Sequence, residues 1–194
     1  MKSVFYKKIK VSILAIILAS FALPNFTFAA LPAGFEIETV ATGLNLPTSM
    51  TFSTDGRIFI AEKGGTVRVV KNGTLLPTPL IELSDVNTYG DRGLLGIAID
   101  PNFSANGHIY LLYTYENTPG TSIAGSKTGR LVRITVTGDT SNESTKVVLV
   151  GTVGGNIATP SCEDYAITAD CIPSDSLSHS VGGLRFGPDG KLYV

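Results

Sequence analysis

The sequence predicts an all-β fold, organised as stacked four-stranded blades. Three observations carry that expectation. Apolar residues recur at period two, not 3.6, along most of the 194-residue chain. Glycine-bearing dipeptides stand between these runs where hairpins need tight turns. One strand–turn–strand pattern also recurs. Met50-Thr51-Phe52-Ser53-Thr54-Asp55-Gly56-Arg57-Ile58-Phe59-Ile60 is echoed by Leu184-Arg185-Phe186-Gly187-Pro188-Asp189-Gly190-Lys191-Leu192-Tyr193-Val194. A looser copy runs Ile97-Ala98-Ile99-Asp100-Pro101, then Asn106-Gly107-His108-Ile109-Tyr110-Leu111. The turn glycines are Gly56, Gly107 and Gly190. The first gap is near the ~40–50 residues of one propeller blade. The second is longer and holds a polar insertion at residues 151–178. A blade cannot bury both faces alone, so blades stack around an axis. A β-sandwich also uses short strands with regular turns, but the echoed hairpins favour a propeller. On this pattern the chain is the N-terminal portion of a β-propeller, about two to three blades. It is expected to continue beyond the strand that ends at Val194, where an apolar sheet edge would otherwise lack a partner.

The elements follow in order. Residues 1–29 read as a signal peptide. Lys2, Lys7, Lys8 and Lys10 form a basic start, and residues 11–23 form an apolar run too short to span a bilayer comfortably. Thr27-Phe28-Ala29 places cleavage after Ala29. Residues 30–194 then form one incomplete propeller domain. Strands are expected at residues 35–40, 57–61, 66–70, 94–99, 108–115, 130–137 and 146–150. Gly64-Gly65 and Asn72-Gly73 mark hairpin turns. A short helical piece is expected near residues 84–88.

Composition narrows the function. The whole chain carries a formal charge of −1, and loss of the leader's four lysines takes it to −5. An exported, mildly acidic protein lacks the basic patches that nucleic acid requires. Its expected location is secreted or periplasmic, without stable membrane insertion after cleavage. Two cysteines, Cys162 and Cys171, lie in the polar insertion. In an oxidising compartment they are expected to form a disulfide, which could stiffen the approach to His179.

Two places carry candidate chemistry. His179 stands in a loop just before an apolar strand, and a neutral imidazole suits removal of a hydroxyl proton. Asp91 and Arg92 stand in Gly90-Asp91-Arg92-Gly93-Leu94-Leu95-Gly96 and lead into another strand. Its glycines suggest close backbone approach. The pair either forms local ion pairs or faces a central cavity as substrate-binding residues. Residues 100–107 do not make a calcium loop, because the sixth-position glycine and the twelfth-position glutamate are never both present. No metal ligand set is expected in this stretch of chain. A triad of Asp175, Ser178 and His179 lacks the strand–turn–helix setting of a nucleophile elbow.

With these motifs in view, the chain resembles the soluble quinoprotein glucose/sorbosone dehydrogenase family. The motif from Gly90 to Ala98, followed by Asp100-Pro101-Asn102-Phe103, is the most specific. The opening through Leu46-Pro47-Thr48 to Glu62, and His179 with the segment to Val194, complete the likeness. The resemblance implies a six-bladed β-propeller that binds pyrroloquinoline quinone (PQQ) and calcium at its axial mouth. It implies oxidation of a sugar or aldose hydroxyl, with His179 as general base, Asp91 near the substrate and an external electron acceptor. The cofactor supplies the redox chemistry. Its basic grips and the calcium ligands are expected in later blades, so this stretch alone is expected to be inactive. Ser178 stands where sugar-oxidising members often carry an acid, and the cysteine-bearing insertion departs from the best-known glucose enzyme. Two other functions stay open: a non-catalytic propeller that binds carbohydrate or protein, and a calcium-dependent propeller lactonase-type hydrolase.

Overall fold

The computed structural model describes residues 31–153 and 160–194. The leader expected at residues 1–29 lies outside them. The chain divides into two units, Met1–Glu38 and Thr39–Val194, and among the described residues all the strands lie in the second. Among the described residues, no helix is long and apolar enough to cross a membrane.

The first sheet is an antiparallel meander of β1 (Pro47–Phe52), β2 (Ile58–Glu62), β3 (Thr66–Lys71) and β4 (Thr74–Leu75). The short strand β5 (Ile81–Glu82) also pairs with β3. The second sheet orders β10 (Val147–Val150), β8 (Thr128–Thr137), β7 (His108–Thr114) and β6 (Leu94–Ile99). Two short strands, β9 (Thr140–Ser141) and β11 (Ile172–Pro173), add to β8. A third hairpin joins β12 (Arg185–Phe186) to β13 (Leu192–Tyr193). The one α-helical turn among the described residues is α1 (Phe103–Asn106), closed by the left-handed Gly107.

The echoed hairpins are β1–β2, β6–β7 and β12–β13, and they share backbone chemistry. Ser53, Asp100 and Gly187 donate their N–H groups to the carbonyls of Arg57, His108 and Lys191, at 3.0, 3.1 and 2.9 Å. In each turn an Asp or Asn Oδ1 accepts the N–H two residues on. The pairs are Asp55 with Arg57 at 3.2 Å, Asn106 with His108 at 2.9 Å, and Asp189 with Lys191 at 3.1 Å. The glycine between has φ of 86°, 65° and 73°, a region that costs an L side chain free energy.

Alternation along the strands explains the stacking. Ile109, Leu111 and Tyr113 of β7 face one core with Phe59 and Val67 of the first sheet. Leu112, between them, faces the other way and joins Ala98, Leu131 and Leu184. Tyr110 meets Phe186 edge-on at 5.2 Å. The middle sheet is therefore buried on both faces, by the sheet before it and the hairpin after it. A two-sheet sandwich leaves the outer face of each sheet to solvent. Two blades and the first hairpin of a third, in β-propeller order, is what the core describes. By contrast Met50 and Phe52 of β1 are 61% and 62% exposed.

Two expected elements are not formed. Residues 35–40 are irregular, with Phe35, Ile37 and Val40 exposed. Alternation makes a strand only where a ladder partner exists, and no strand pairing among the described residues includes them. Residues 84–88 are bent rather than helical, with an isolated bridge from Val86 to Tyr115. Asp85 and Asn87 there reach blade-two partners instead of capping a helix. Asp85 accepts from the Tyr113 hydroxyl at 3.1 Å, and Asn87 Nδ2 donates to Glu116 at 2.6 Å.

Candidate active site

Three inner strands, β1, β6 and β12, run the same way from the same end, so the loops that precede them share a mouth. The glycines of the 90–96 motif explain how tightly they converge. A Cβ on Gly90 would meet the Leu177 carbonyl oxygen at 2.5 Å, one on Gly93 the Lys63 carbonyl oxygen at 2.7 Å, and one on Gly96 would collide with the Gly182 carbonyl. This motif is the seam where blade two's inner strand slides between blade one and the loop that carries His179.

His179 is exposed and has φ of 57°, in the left-handed region. Such a conformation is uncommon outside glycine, and histidine is among the residues enriched in it. The loop is tied at its neck by hydroxyls. Thr114 Oγ1 lies 3.0 Å from Ser174 Oγ and 2.7 Å from Ser180 Oγ, and the two serines are 2.8 Å apart. Strand β11, pairing with β8, leads directly into this neck. The disulfide joins Cys162 to Cys171, the residue before β11.

Asp91 is exposed, and its backbone N–H donates to the Leu177 carbonyl at 2.9 Å. Arg92 is placed otherwise than a cavity-lining residue. Its side chain is fully buried. Nε donates to the Ser176 carbonyl at 3.1 Å, and Nη2 donates to those of Ser174 and Asp175 at 2.9 and 3.0 Å. Burial lowers its pKa, and Asp175 and Glu116 offset part of that. The guanidinium is committed to the loop beneath His179 and not to solvent.

Beneath both loops lies a polar core that the sequence did not single out. Glu116 and Lys127, both fully buried, pair at 2.8 Å. Glu116 also accepts from Asn87 Nδ2 and from the N–H groups of Ile123 and Thr118. Burial pushes its carboxyl up, but the Ile123 N–H, Lys127, Asn87 and the Thr118 N–H together hold it below the usual range. The Lys127 carbonyl accepts from the Ser174 N–H at 3.0 Å, which ties this core to the neck. A charged pair after Thr114 and before Thr128 was the signal available in the sequence, but the chain between gives no hint that its ends meet.

A cavity of about 210 Å³ opens between the inner strands, lined by residues that include Ser49, Ile97, Leu184 and Arg185. His179, Asp91 and Arg92 do not line it. Among the described residues, no group of three His, Cys, Asp or Glu side chains could hold a metal ion. Lys127 and the Nε and Nη2 of Arg92 are engaged internally, while Arg92 Nη1 is buried without a partner. The mouth therefore offers an exposed imidazole and a carboxylate, but these residues do not by themselves fit the grip of a quinone or of calcium.

The sequence model of the glucose/sorbosone dehydrogenases matches residues 44–194. The chain belongs to that family. Its relatives include proteins of two kinds. Hedgehog-interacting protein of Mus musculus is 30% identical over 166 residues, covering 81% of this chain and 21% of that protein. Quinoprotein glucose dehydrogenase B of Acinetobacter calcoaceticus is 26% identical over 162 residues, covering 82% of this chain and 30% of the enzyme. Among solved structures, a glucose dehydrogenase-type oxidoreductase from Thermus thermophilus aligns with a TM-score of 0.60 and 28% identity, over 83% of this chain and 40% of that one. The PQQ-bound aldose sugar dehydrogenase of Streptomyces coelicolor shares the fold, with a TM-score of 0.54 and 24% identity over 80% of this chain and 39% of that one. The chain thus spans well under half the length of each of these proteins.

Proposed function

We propose that this chain supplies part of a sugar dehydrogenase site, with His179 as the base that takes the proton from a sugar or aldose hydroxyl. The observation that carries this is the presentation of His179. An exposed imidazole stands in a left-handed backbone conformation on a loop braced from below and tied at its neck. Strained residues held by over-determined surroundings cluster at functional sites. Asp91, exposed on the adjoining loop, is the substrate-facing carboxylate. Family membership supports sugar as the substrate class. PQQ, which the Streptomyces coelicolor neighbour binds, would supply a two-electron acceptor when bound, and an external acceptor would take those electrons on. Calcium accompanies it in this reading. Secretion or periplasmic placement is supported by the leader pattern and the cysteine pair.

The test is His179→Ala in the full-length protein supplied with PQQ and calcium, assayed by dye reduction over a sugar panel. Turnover is expected to fall by ~10²–10⁴-fold. Turnover near that of the parent protein removes His179 from the role of base. The match to Hedgehog-interacting protein favours a second reading, a non-catalytic propeller that binds carbohydrate or protein. That reading is upheld by saturable binding of such a ligand together with no dye reduction by the parent protein.

A further inference from the structure

We propose that Arg92, closed from behind by the Thr114–Ser174–Ser180 hydroxyl clasp, is the positioning residue that sets where His179 stands. This rests on the reading of His179 as base. Three consecutive carbonyls, from Ser174, Asp175 and Ser176, turn inward onto one guanidinium. In extended chain, successive carbonyls point to alternate sides, so this convergence needs a donor able to meet several acceptors at once. A planar guanidinium does so with its fork of N–H groups, whereas an ammonium offers one compact point charge. The next carbonyl, Leu177, is held by the backbone N–H of Asp91. The two residues before Gly93 therefore hold residues 174–177 as a unit.

The other end of the loop is fixed at Ser180, whose hydroxyl meets Thr114 and Ser174. Only Ser178 and His179 lie between the last held carbonyl and the clasp. Two residues spanning two fixed points have little choice of path, and His179 takes the left-handed conformation. That conformation persists only while its surroundings impose it. Arg92 is fully buried, so it acts through the loop and does not touch solvent-borne substrate. The Gly90–Gly96 motif thereby serves twice, since it brings Arg92 under the loop as well as admitting the strand.

The experiment uses the full-length protein with ¹³C-labelled histidine. The His179 ring resonance is identified by its loss in His179→Ala, and His108 at the start of β7 serves as an internal control. In Arg92→Lys the His179 resonance is expected to shift and broaden while that of His108 stays. Turnover is expected to fall ~10²-fold, the scale of a reacting group misplaced by about 1 Å, with KM changed less than about threefold. Arg92→Lys is expected to add no further loss to His179→Ala. An unmoved His179 resonance, a change confined to KM, or losses that multiply in the double variant each overturn the proposal. If Arg92→Lys does not fold, Ser180→Ala, which opens the clasp at a half-buried hydroxyl, must displace the same resonance; an unchanged signal overturns the proposal. Full turnover in His179→Ala removes the base assignment, while the resonance still decides the role of Arg92.

Discussion

The two ends of the inner strands are built by different means. At the turn end, three hairpins repeat the same residues and bonds: an Asp or Asn, a left-handed glycine, and a basic residue whose N–H closes the turn. Each turn closes these bonds within a few residues, and Arg57 and Gly107 also reach further, to Gly138, Asp139 and Val136. At the mouth, nothing repeats. The approach to β6 carries Arg92, the end of β7 leads to Glu116, and the approach to β12 carries the cysteine pair and His179. Their partners lie far apart in sequence; Arg92 reaches carbonyls more than eighty residues on. A propeller can keep its hairpin turns uniform because the bonds that return the chain are local. Its mouth loops must meet one another across blades, so each is fitted to its neighbours. Sites therefore collect at the end where the repeat breaks down.

This contrast can be broken or sharpened by mutation. The largest effect on stability is expected at the mouth. Lys127→Met removes one partner of a fully buried pair and leaves Glu116 charged and dry, at a cost of ~3–5 kcal/mol. Denaturant unfolding measures it, and a loss no greater than that of a surface substitution would show that the mouth does not depend on its polar core. Next comes the bridge. Replacing both Cys162 and Cys171 by Ser frees a short closed loop, worth about 2–3 kcal/mol by the loop-entropy relation. Thermal unfolding checks the magnitude, and thiol labelling of the denatured, non-reduced protein checks the pairing; two reactive thiols would refute it. The smallest effects belong to the turn end. Gly56→Ala and Gly190→Ala meet no neighbouring atom and differ little in φ, so each is expected to cost about 1–2 kcal/mol of backbone strain, and the two to cost the same. Gly107→Ala adds an overlap with the Val136 carbonyl oxygen at 2.5 Å and is expected to cost more than either. Unequal costs at Gly56 and Gly190 would mean that the echoed turns are alike in sequence only.

Much of the scaffold was legible in the residues. Period-two alternation marked the β2–β3 pair and the β6–β7–β8 strands, because strand side chains alternate faces regardless of what they meet. The glycines of residues 90–96 announced close approach, since only a missing Cβ admits a foreign carbonyl there. Alternation misled at residues 35–40, because a strand needs a partner that its own sequence cannot supply. The expected helix at residues 84–88 failed for a related reason. Asp85 and Asn87 found buried partners on β7 and just beyond it, and those contacts outweighed a weak local preference.

The site divides along the same line. His179 and Asp91 could be named as candidates from the sequence, because an imidazole and a carboxylate before apolar strands suggest chemistry wherever they stand, and their roles are those proposed above. The part of Arg92 could not be read. An arginine beside an aspartate in a loop looks the same whether it faces a ligand or supports the backbone of another loop. Thr114, Ser174, Ser180 and the Glu116–Lys127 pair were equally silent. By itself the sequence determined the strands, their turns and the order of the blades, since these rest on side-chain period and on backbone angles that few residues allow. Only the tertiary structure decided which polar groups are buried together, because hydrogen bonds and ion pairs across blades depend on distances that no local pattern encodes.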